Sequence, residues 1–241
     1  RNMRINIIIP NYNKEQFLEK CLLSCLNQDH KDYKVIFIDN ESTDNSLYIA
    51  ENVKSKGYDF VIDSAKNIYP RCWDECLEQA KQHLDGDFCT IIGSDDHIDN
   101  NYLSNFESWA KNKNEKVYQS VLNWYKDGQK INTIEHTYKN IDELKSKLSV
   151  GCCVNSPTVF YSTEIFKDKN LNRQPELYSG AADYDFLCQI VDSGIFISRI
   201  PESIGYNYIF NDKQATWEMH KDPINYDKII QSKWRDKWSK F

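Results

Sequence analysis

The first hundred residues alternate short apolar runs with segments of helical periodicity. Four apolar runs predict strands: INIIIP (5–10), YKVIFID (33–39), DFVID (59–63) and DFCTIIG (87–93). The segments between them predict helices: KEQFLEKCLLSCLNQ, DNSLYIAENVKSKG and RCWDECLEQAKQHL. Crossovers of about 25 residues favour parallel pairing, right-handed connections and helices on both faces of the sheet.

The second half of the chain is less regular. YLSNFESWAKN and IDELKSKLS predict helices, and residues 116–138 predict a hairpin turning at Asp127-Gly128. PTVFYSTEIF predicts one strand running into another, AADYDFLCQIVDSG a helix, and FISRIPESIGYNYIF an extended segment. We therefore predict an α/β fold with a mostly parallel central sheet. Its expected parts are a ligand-binding half (1–100), a second half of the same domain (101–220) and a C-terminal amphipathic helix (221–241).

Composition excludes some classes of protein. The 241 residues are 40% hydrophobic, which allows a sizeable core, and the net charge of −6 argues against a nucleic-acid partner. No apolar run is long enough to span a bilayer, and no leader-like segment opens the chain, which begins with Arg1. The eight cysteines include no Cys-x-x-Cys pair, so we expect reduced, packed thiols and a cytoplasmic protein.

Candidate chemistry collects where the predicted strands end. The first strand leads to Tyr12, the second to Asp39 and Asn40, and the fourth to the pair Asp95-Asp96. In parallel sheets, ligands bind outside these carboxyl ends. An aromatic ring with amide and acid groups suits a nucleobase, and two carboxylates suit a divalent cation that also binds a diphosphate. The chain has no glycine-rich phosphate loop, so a metal would have to neutralise the phosphates.

Two segments carry a resemblance to a known family. The opening INIIIPNYNKEQFLEKCLLSCLNQDHKDYKVIFIDNESTDNS and the later DGDFCTIIGSDD resemble the family 2 glycosyltransferases of the GT-A fold. The resemblance is strong over residues 3–100 and looser over 155–195. It implies that Tyr12 lies against the base, that Asp39 and Asn40 bind base and ribose, and that Pro10 belongs to the nucleotide-binding residues. Separately, Arg71 is a cation placed unfavourably at a predicted helix start, which favours a nucleotide phosphate contact for it.

The resemblance further implies a reaction. Asp96 would coordinate Mn²⁺ or Mg²⁺, with Asp95 beside it on the ribose or the ion. In GAADYDFL, Asp183 matches the family's catalytic base. The implied activity is inverting transfer of a single hexosyl unit from a nucleotide-diphosphate sugar, most readily a UDP-sugar, in polysaccharide biosynthesis. The acceptor would be a hydroxyl of a glycan or a lipid-linked glycan.

The chain departs from the family pattern at three positions. Asn40 stands where the family usually has a second Asp, which leaves thymidine or cytidine donors open. Gly93 replaces the first acid of the Asp-x-Asp motif, and Ala182 replaces the Glu before the base. These losses keep a catalytically silent sugar-binding module as an alternative. A sugar nucleotidyltransferase is the other alternative, although PNYNKEQ lacks its glycine-rich basic loop.

Ordinary structural roles compete with several of these assignments. The acid pair could form a turn, Asp44 could cap a helix, and Asp183 could interact with a helix dipole. His97 faces either the site or solvent, and His220 is either an exposed loop residue or an added contact to metal or diphosphate.

The C-terminal tail has an apolar stripe among basic residues. The stripe comprises Ile230, Trp234, Trp238 and Phe241. It could pack on the domain, which is the favoured interpretation. Alternatively, residues 229–241 could lie on the inner face of a membrane.

Overall fold

The protein was analysed as a computed structural model, which describes residues 2–212 and 222–240. The strands are β1 (Ile5–Asn11), β2 (Tyr33–Asp39), β3 (Val61–Ser64), β4 (Phe88–Ile91), β5 (His97–Ile98), β6 (Val117–Lys126), β7 (Gln129–Ile134), β8 (Phe160–Ser162) and β9 (Ile197–Ile209). The helices are α1 (Glu15–Leu26), α2 (Ser46–Ser55), α3 (Cys72–Lys81), α4 (Tyr102–Ala110), α5 (Ile141–Leu148), α6 (Thr163–Phe166), α7 (Pro175–Tyr178), α8 (Ala182–Asp192) and α9 (Tyr226–Trp238).

All nine strands of the described residues join in one sheet. Its order is β3-β2-β1-β4-β8-β6-β9-β5, with β7 paired to β6. The strands β3, β2, β1 and β4 are parallel to one another, as predicted. The second half of the chain adds antiparallel pairs of β4 with β8, of β8 with β6 and of β9 with β5, beside the parallel pair β6–β9. The predicted α/β fold is confirmed, and the sheet is a mixed one.

Most predicted elements are present, with one correction. The hairpin turns at Asp127 and Gly128, whose φ values of 50° and 77° suit the tight turns that join antiparallel strands. The prediction that PTVFYSTEIF contains two successive strands is wrong. After the short strand β8, the hydroxyl of Ser162 accepts the N–H of Ile165 and starts helix α6. That side-chain cap ends the strand within three residues.

Two apolar clusters pack on the sheet, and each combines residues from both halves of the chain. One includes Ile8 on β1, Leu187 on α8 and Trp234 on α9. The other includes Phe106 on α4 and Phe160 on β8, whose rings stack at 3.7 Å. Since the clusters cross the middle of the chain, the two predicted halves share their cores.

The C-terminal helix packs against the domain, as the favoured interpretation predicted. Ile230 and Trp234 on α9 are buried, and Trp238 is partly buried against the same cluster. These side chains therefore pack into the protein, and Phe241, the fourth member of the predicted stripe, lies outside the described residues. Among the described residues, no helix combines the length and apolar character that crossing a bilayer requires.

Candidate active site

The ends of β1 and β2 are joined by side-chain hydrogen bonds. Asn11 Nδ2 donates to Asp39 Oδ1 at 3.1 Å. The carboxylate of Asp39 also accepts the N–H and the hydroxyl of Ser42, at 2.9 and 2.7 Å. Asp39 is almost fully buried. It therefore shapes the turn after β2, at the edge where the sequence predicted a nucleotide contact.

Asn13 connects the loop after β1 to the loop after β2. Its Oδ1 accepts the N–H groups of Thr43 and Asp44, at 2.8 and 3.3 Å. Asp44 in turn accepts the N–H groups of Ser46 and Glu15, at 2.9 and 3.0 Å. The capping role of Asp44 is thus present, and it holds the starts of α1 and α2 together. Asn11 and Asn13 are not among the residues predicted from the sequence. The repeated asparagines in PNYN, directly after a predicted strand, are the pattern that indicates them.

Asn40 joins the end of β2 to the loop after β3. Its Nδ2 donates to the carbonyl oxygens of Ala65 and Lys66, at 3.3 and 2.9 Å. The residue is 2% exposed, so this amide is nearly removed from water. A carboxylate at position 40 would face two carbonyl oxygens with no proton to donate. This contact gives a physical reason for the departure from the family's Asp.

The two acids after β4 lie in different environments. Asp96 is buried: its Oδ2 accepts the hydroxyl of Tyr206 at 2.6 Å, and its Oδ1 accepts the N–H of Ile209 at 2.9 Å. Burial raises the pKa of Asp96 well above its usual range, and the neighbouring charge of Asp95 raises it further. Asp96 thus links the acid pair to the end of β9 in the second half of the chain.

Asp95 faces outward from the same turn. Its Oδ2 lies 3.3 Å from Lys14 Nζ and accepts Asn211 Nδ2 at 3.2 Å. The side chain is 15% exposed, so it borders solvent while remaining partly shielded. Asp95 therefore brings together the start of α1 and the residues that follow β9.

A side chain at position 93 would be crowded by this pair. A Cβ at that position would lie 3.0 Å from Asp96 Oδ2 and 3.2 Å from Asp95 Oδ1. Both distances are shorter than ordinary van der Waals contact. The missing first acid of the motif is thus accompanied by close packing of the remaining two carboxylates.

A divalent ion fits this site only with additional oxygen ligands. Within residues 2–212 and 222–240, no three His, Cys, Asp or Glu side chains converge as a metal site. Mg²⁺ and Mn²⁺ commonly bind through one or two carboxylates, with diphosphate oxygens and water completing the shell. The carboxylate of Asp95 suits that arrangement, and both oxygens of Asp96 already accept hydrogen bonds.

The structure places the remaining nucleotide candidates near the same strand ends. Pro10 is buried in β1 beside Ile38 of β2. Tyr12 follows β1 and is 46% exposed, a high value for a large aromatic side chain. Its predicted contact with a base remains a prediction.

Two ion pairs join α3 to the segment before α8. Arg71 Nη1 lies 2.6 Å from Glu176 on α7, and Arg173 Nε lies 2.9 Å from the buried Asp74 on α3. The Glu176 carboxylate raises the pKa of Arg71. This pairing accounts for a cation at the start of α3, and a phosphate contact by Arg71 remains a prediction.

Asp183, the predicted base, lies in the first turn of α8. Its Oδ1 accepts the N–H of Tyr184 at 2.9 Å, and its side chain is half-buried. Two residues later, Asp185 is fully buried and binds α9. Of these two acids, Asp183 therefore borders solvent and Asp185 lies in the interior.

Of the two candidate histidines, His97 lies among the described residues. His97 is half-buried, and its Nδ1 lies 3.3 Å from Asn207 Nδ2. Burial lowers its pKa. His220, the candidate for an added metal or diphosphate contact, lies outside the described residues.

The chain belongs to glycosyl transferase family 2, whose sequence profile matches residues 6–184. It is 24% identical to the poly(ribitol-phosphate) beta-glucosyltransferase of Bacillus spizizenii over 86% of this chain and 32% of that protein. It is 25% identical to the GalNAc(5)-diNAcBac-PP-undecaprenol beta-1,3-glucosyltransferase of Campylobacter jejuni over 49% of this chain and 38% of that protein. The chain thus spans about a third of the length of these relatives.

Solved structures share the fold. Residues 1–349 of Staphylococcus aureus TarS in complex with UDP-GlcNAc superpose with a TM-score of 0.72 at 20% identity, over 92% of this chain and 62% of that one. The mannosyltransferase PcManGT of Pyrobaculum calidifontis with GDP-Man and Mn²⁺ gives 0.64 at 13% identity, over 96% and 69%. The predicted GT-A-like nucleotide-sugar transferase fold is confirmed.

Proposed function

We propose that this domain transfers one sugar from a nucleotide-diphosphate donor to a hydroxyl group of a glycan or lipid-linked glycan. A UDP-sugar is the favoured donor. The observation that carries the proposal is the edge of the sheet where hydrogen bonds and an ion pair join the loops after β1, β2, β3 and β4. Asn11 connects to Asp39, Asn40 to the loop after β3, and Lys14 to Asp95. Such an edge holds the ligand groups in place before the donor arrives.

Each loop has a task in this proposal. Tyr12 offers a ring face for the base, and the buried groups of Asp39 and Asn40 shape the turns around it. Asp95 would hold the divalent ion, and Asp96, the metal ligand predicted from the sequence, would keep the turn that carries Asp95 attached to Tyr206 and the β9 backbone. When bound, the ion neutralises the charge that develops on the departing diphosphate.

Asp183 acts as the general base on the acceptor side. Its carboxylate takes the proton of the acceptor hydroxyl as that oxygen attacks the anomeric carbon. Attack from the face opposite the diphosphate inverts the configuration at that carbon. The ion pairs of Arg71 and Arg173 hold the segment before α8 against α3, so the base keeps its distance from the donor half.

The donor class can be tested by thermal unfolding with UDP, GDP, CDP and TDP and their sugars, each with Mn²⁺ or with chelator. A ligand at about 100 times its dissociation constant adds about 2.7 kcal/mol to stability. We expect a metal-dependent shift with UDP and its loss in Asp95→Asn. Asp63→Asn, on β3 away from the acid pair, is the matched control.

The reaction can be tested with the responding donor sugar. Hydrolysis or transfer that yields the inverted anomer, followed by NMR, supports the proposal. Binding without turnover at high enzyme concentration would support the silent sugar-binding module instead. The absence of any nucleotide shift would contradict the proposed transferase and favour a silent carbohydrate-binding module.

A further inference from the structure

Lys14 places its ammonium group beside Asp95, the carboxylate that is proposed to bind the divalent ion. Its Nζ lies 3.3 Å from Asp95 Oδ2, and the two side chains are 17% and 15% exposed. Partial shielding from water strengthens such a pair relative to one on the open surface. The outward carboxylate of the acid pair therefore already has a positive charge next to it.

The other groups at this turn add little negative charge for a metal ion. Asp96 is buried with both oxygens in hydrogen bonds, and position 93 has no side chain. A divalent ion alone would meet one outward carboxylate whose charge is opposed by Lys14. Hard ions that bind through so few protein oxygens depend on phosphate oxygens for the rest of their shell.

We propose that Lys14 is a positioning residue that makes metal binding at Asp95 depend on the nucleotide diphosphate. This inference rests on the proposed function. Without donor, the ammonium group holds the carboxylate of Asp95 together with Asn211 and disfavours a lone divalent ion. With donor, Lys14 exchanges the carboxylate for diphosphate oxygens, which an ammonium group binds as a point charge. The ion and the nucleotide then bind as a pair.

The test measures Mn²⁺ binding by the free-ion EPR signal, with and without UDP. We expect the wild type to bind Mn²⁺ weakly alone and much more tightly with UDP. Lys14→Met should tighten binding of Mn²⁺ alone by roughly three- to tenfold, because it removes a nearby positive charge. The same variant should gain less Mn²⁺ affinity when UDP is added, because Mn²⁺ alone already binds it more tightly, so the coupling between the two ligands falls.

Two variants control for charge and folding. Lys14→Arg keeps the charge and should resemble the wild type with Mn²⁺ alone. Lys20→Met removes an exposed charge from α1, the helix that follows Lys14, and should change Mn²⁺ affinity less than twofold. Unfolding midpoints confirm that each variant is folded.

Three results would overturn the inference: tight Mn²⁺ binding by the wild type without UDP, an unchanged affinity in Lys14→Met, or an equal change in Lys20→Met. Failure of the wild type to bind UDP at any Mn²⁺ concentration would instead overturn the proposed function. The measurement with Mn²⁺ alone distinguishes the two failures, because it involves no nucleotide.

Discussion

Lys233 Nζ on the C-terminal helix lies 2.9 Å from Oδ1 of Asp185, a carboxylate with no exposed surface. Trp234 Nε1 donates to the same oxygen at 2.8 Å, and Gln189 Nε2 donates to the other at 2.8 Å. These bonds satisfy a buried charge and attach α9 to the helix that carries Asp183. The C-terminal helix is therefore part of the support of the candidate base.

Asp185→Asn should destabilise the protein by about 1–3 kcal/mol, because it removes the buried negative charge that pairs with Lys233 and replaces one acceptor oxygen with an NH₂ group. Asp192→Asn is the matched control. Asp192 accepts Lys237 and Trp238 in a similar way, but its side chain is 25% exposed, so we expect a loss below about 1 kcal/mol. Denaturant unfolding of the two variants gives the comparison, and equal losses would contradict the role assigned to Asp185.

Asp183→Asn should lower the transfer rate by a factor of about 10²–10⁴, because an amide cannot accept the acceptor's proton. The half-buried carboxylate has a small structural role, so the unfolding midpoint and the nucleotide-induced shift should stay near those of the wild type. Initial rates under donor saturation measure the effect. A variant that keeps its rate would exclude Asp183 as the base.

Asn40→Asp, which restores the family's residue, should destabilise this protein by about 1–3 kcal/mol. The buried Asp would place a carboxylate against the carbonyl oxygens of Ala65 and Lys66. Asn52→Asp, on the exposed face of α2, should change stability by less than about 0.5 kcal/mol. If Asn40→Asp proves as stable as the wild type, the amide is not what holds the loop after β3.

Gly93→Asp, which restores the missing acid, should weaken metal-dependent UDP binding. The added side chain would crowd the carboxylates of Asp95 and Asp96 and push them from their present positions. Gly93→Ala tests crowding alone and should produce part of the loss. Titration calorimetry with Mn²⁺ and UDP is the measurement, and stronger binding by Gly93→Asp would show that the turn adapts.

The pH dependence of stability should include a term from Asp85. The Arg4 guanidinium, with help from Lys34 and Asn6, holds the pKa of this carboxyl well below its usual range. A depressed pKa stabilises the fold at pH values above the unfolded-state pKa of about 3.9. That stabilisation is lost as pH falls through the folded-state pKa.

Asp85→Asn should therefore be less stable than the wild type at pH 7, and the difference should shrink toward pH 3. The effect is modest, because the Asp85 side chain is 44% exposed. Unfolding midpoints at the two pH values measure it, with the exposed Asp59→Asn as control. A difference that grows toward pH 3 would have the wrong sign.

Local patterns in the sequence were sufficient for much of the fold and for the location of the site. The runs around Ile5, Tyr33 and Phe88 are continuous and apolar because parallel strands are covered on both faces. The residues after such strands must meet at one edge, so Asp39, Asn40 and the acid pair could be predicted together. The apolar stripe of α9 likewise favoured packing on the domain, and Ile230 and Trp234 are buried there.

The tertiary structure decided which way each of these groups faces. The sequence treats Asp95 and Asp96 as equals, but Tyr206, more than a hundred residues later, accounts for the burial of one of them. The antiparallel pairing of β8 with β4 and the position of Lys14 beside Asp95 also depend on contacts between residues far apart in the sequence. Local periodicity reports which residues are buried, whereas pairing across long sequence separations depends on packing of the whole chain. The fold class therefore follows from local pattern, and the chemistry of each carboxylate follows from its distant neighbours.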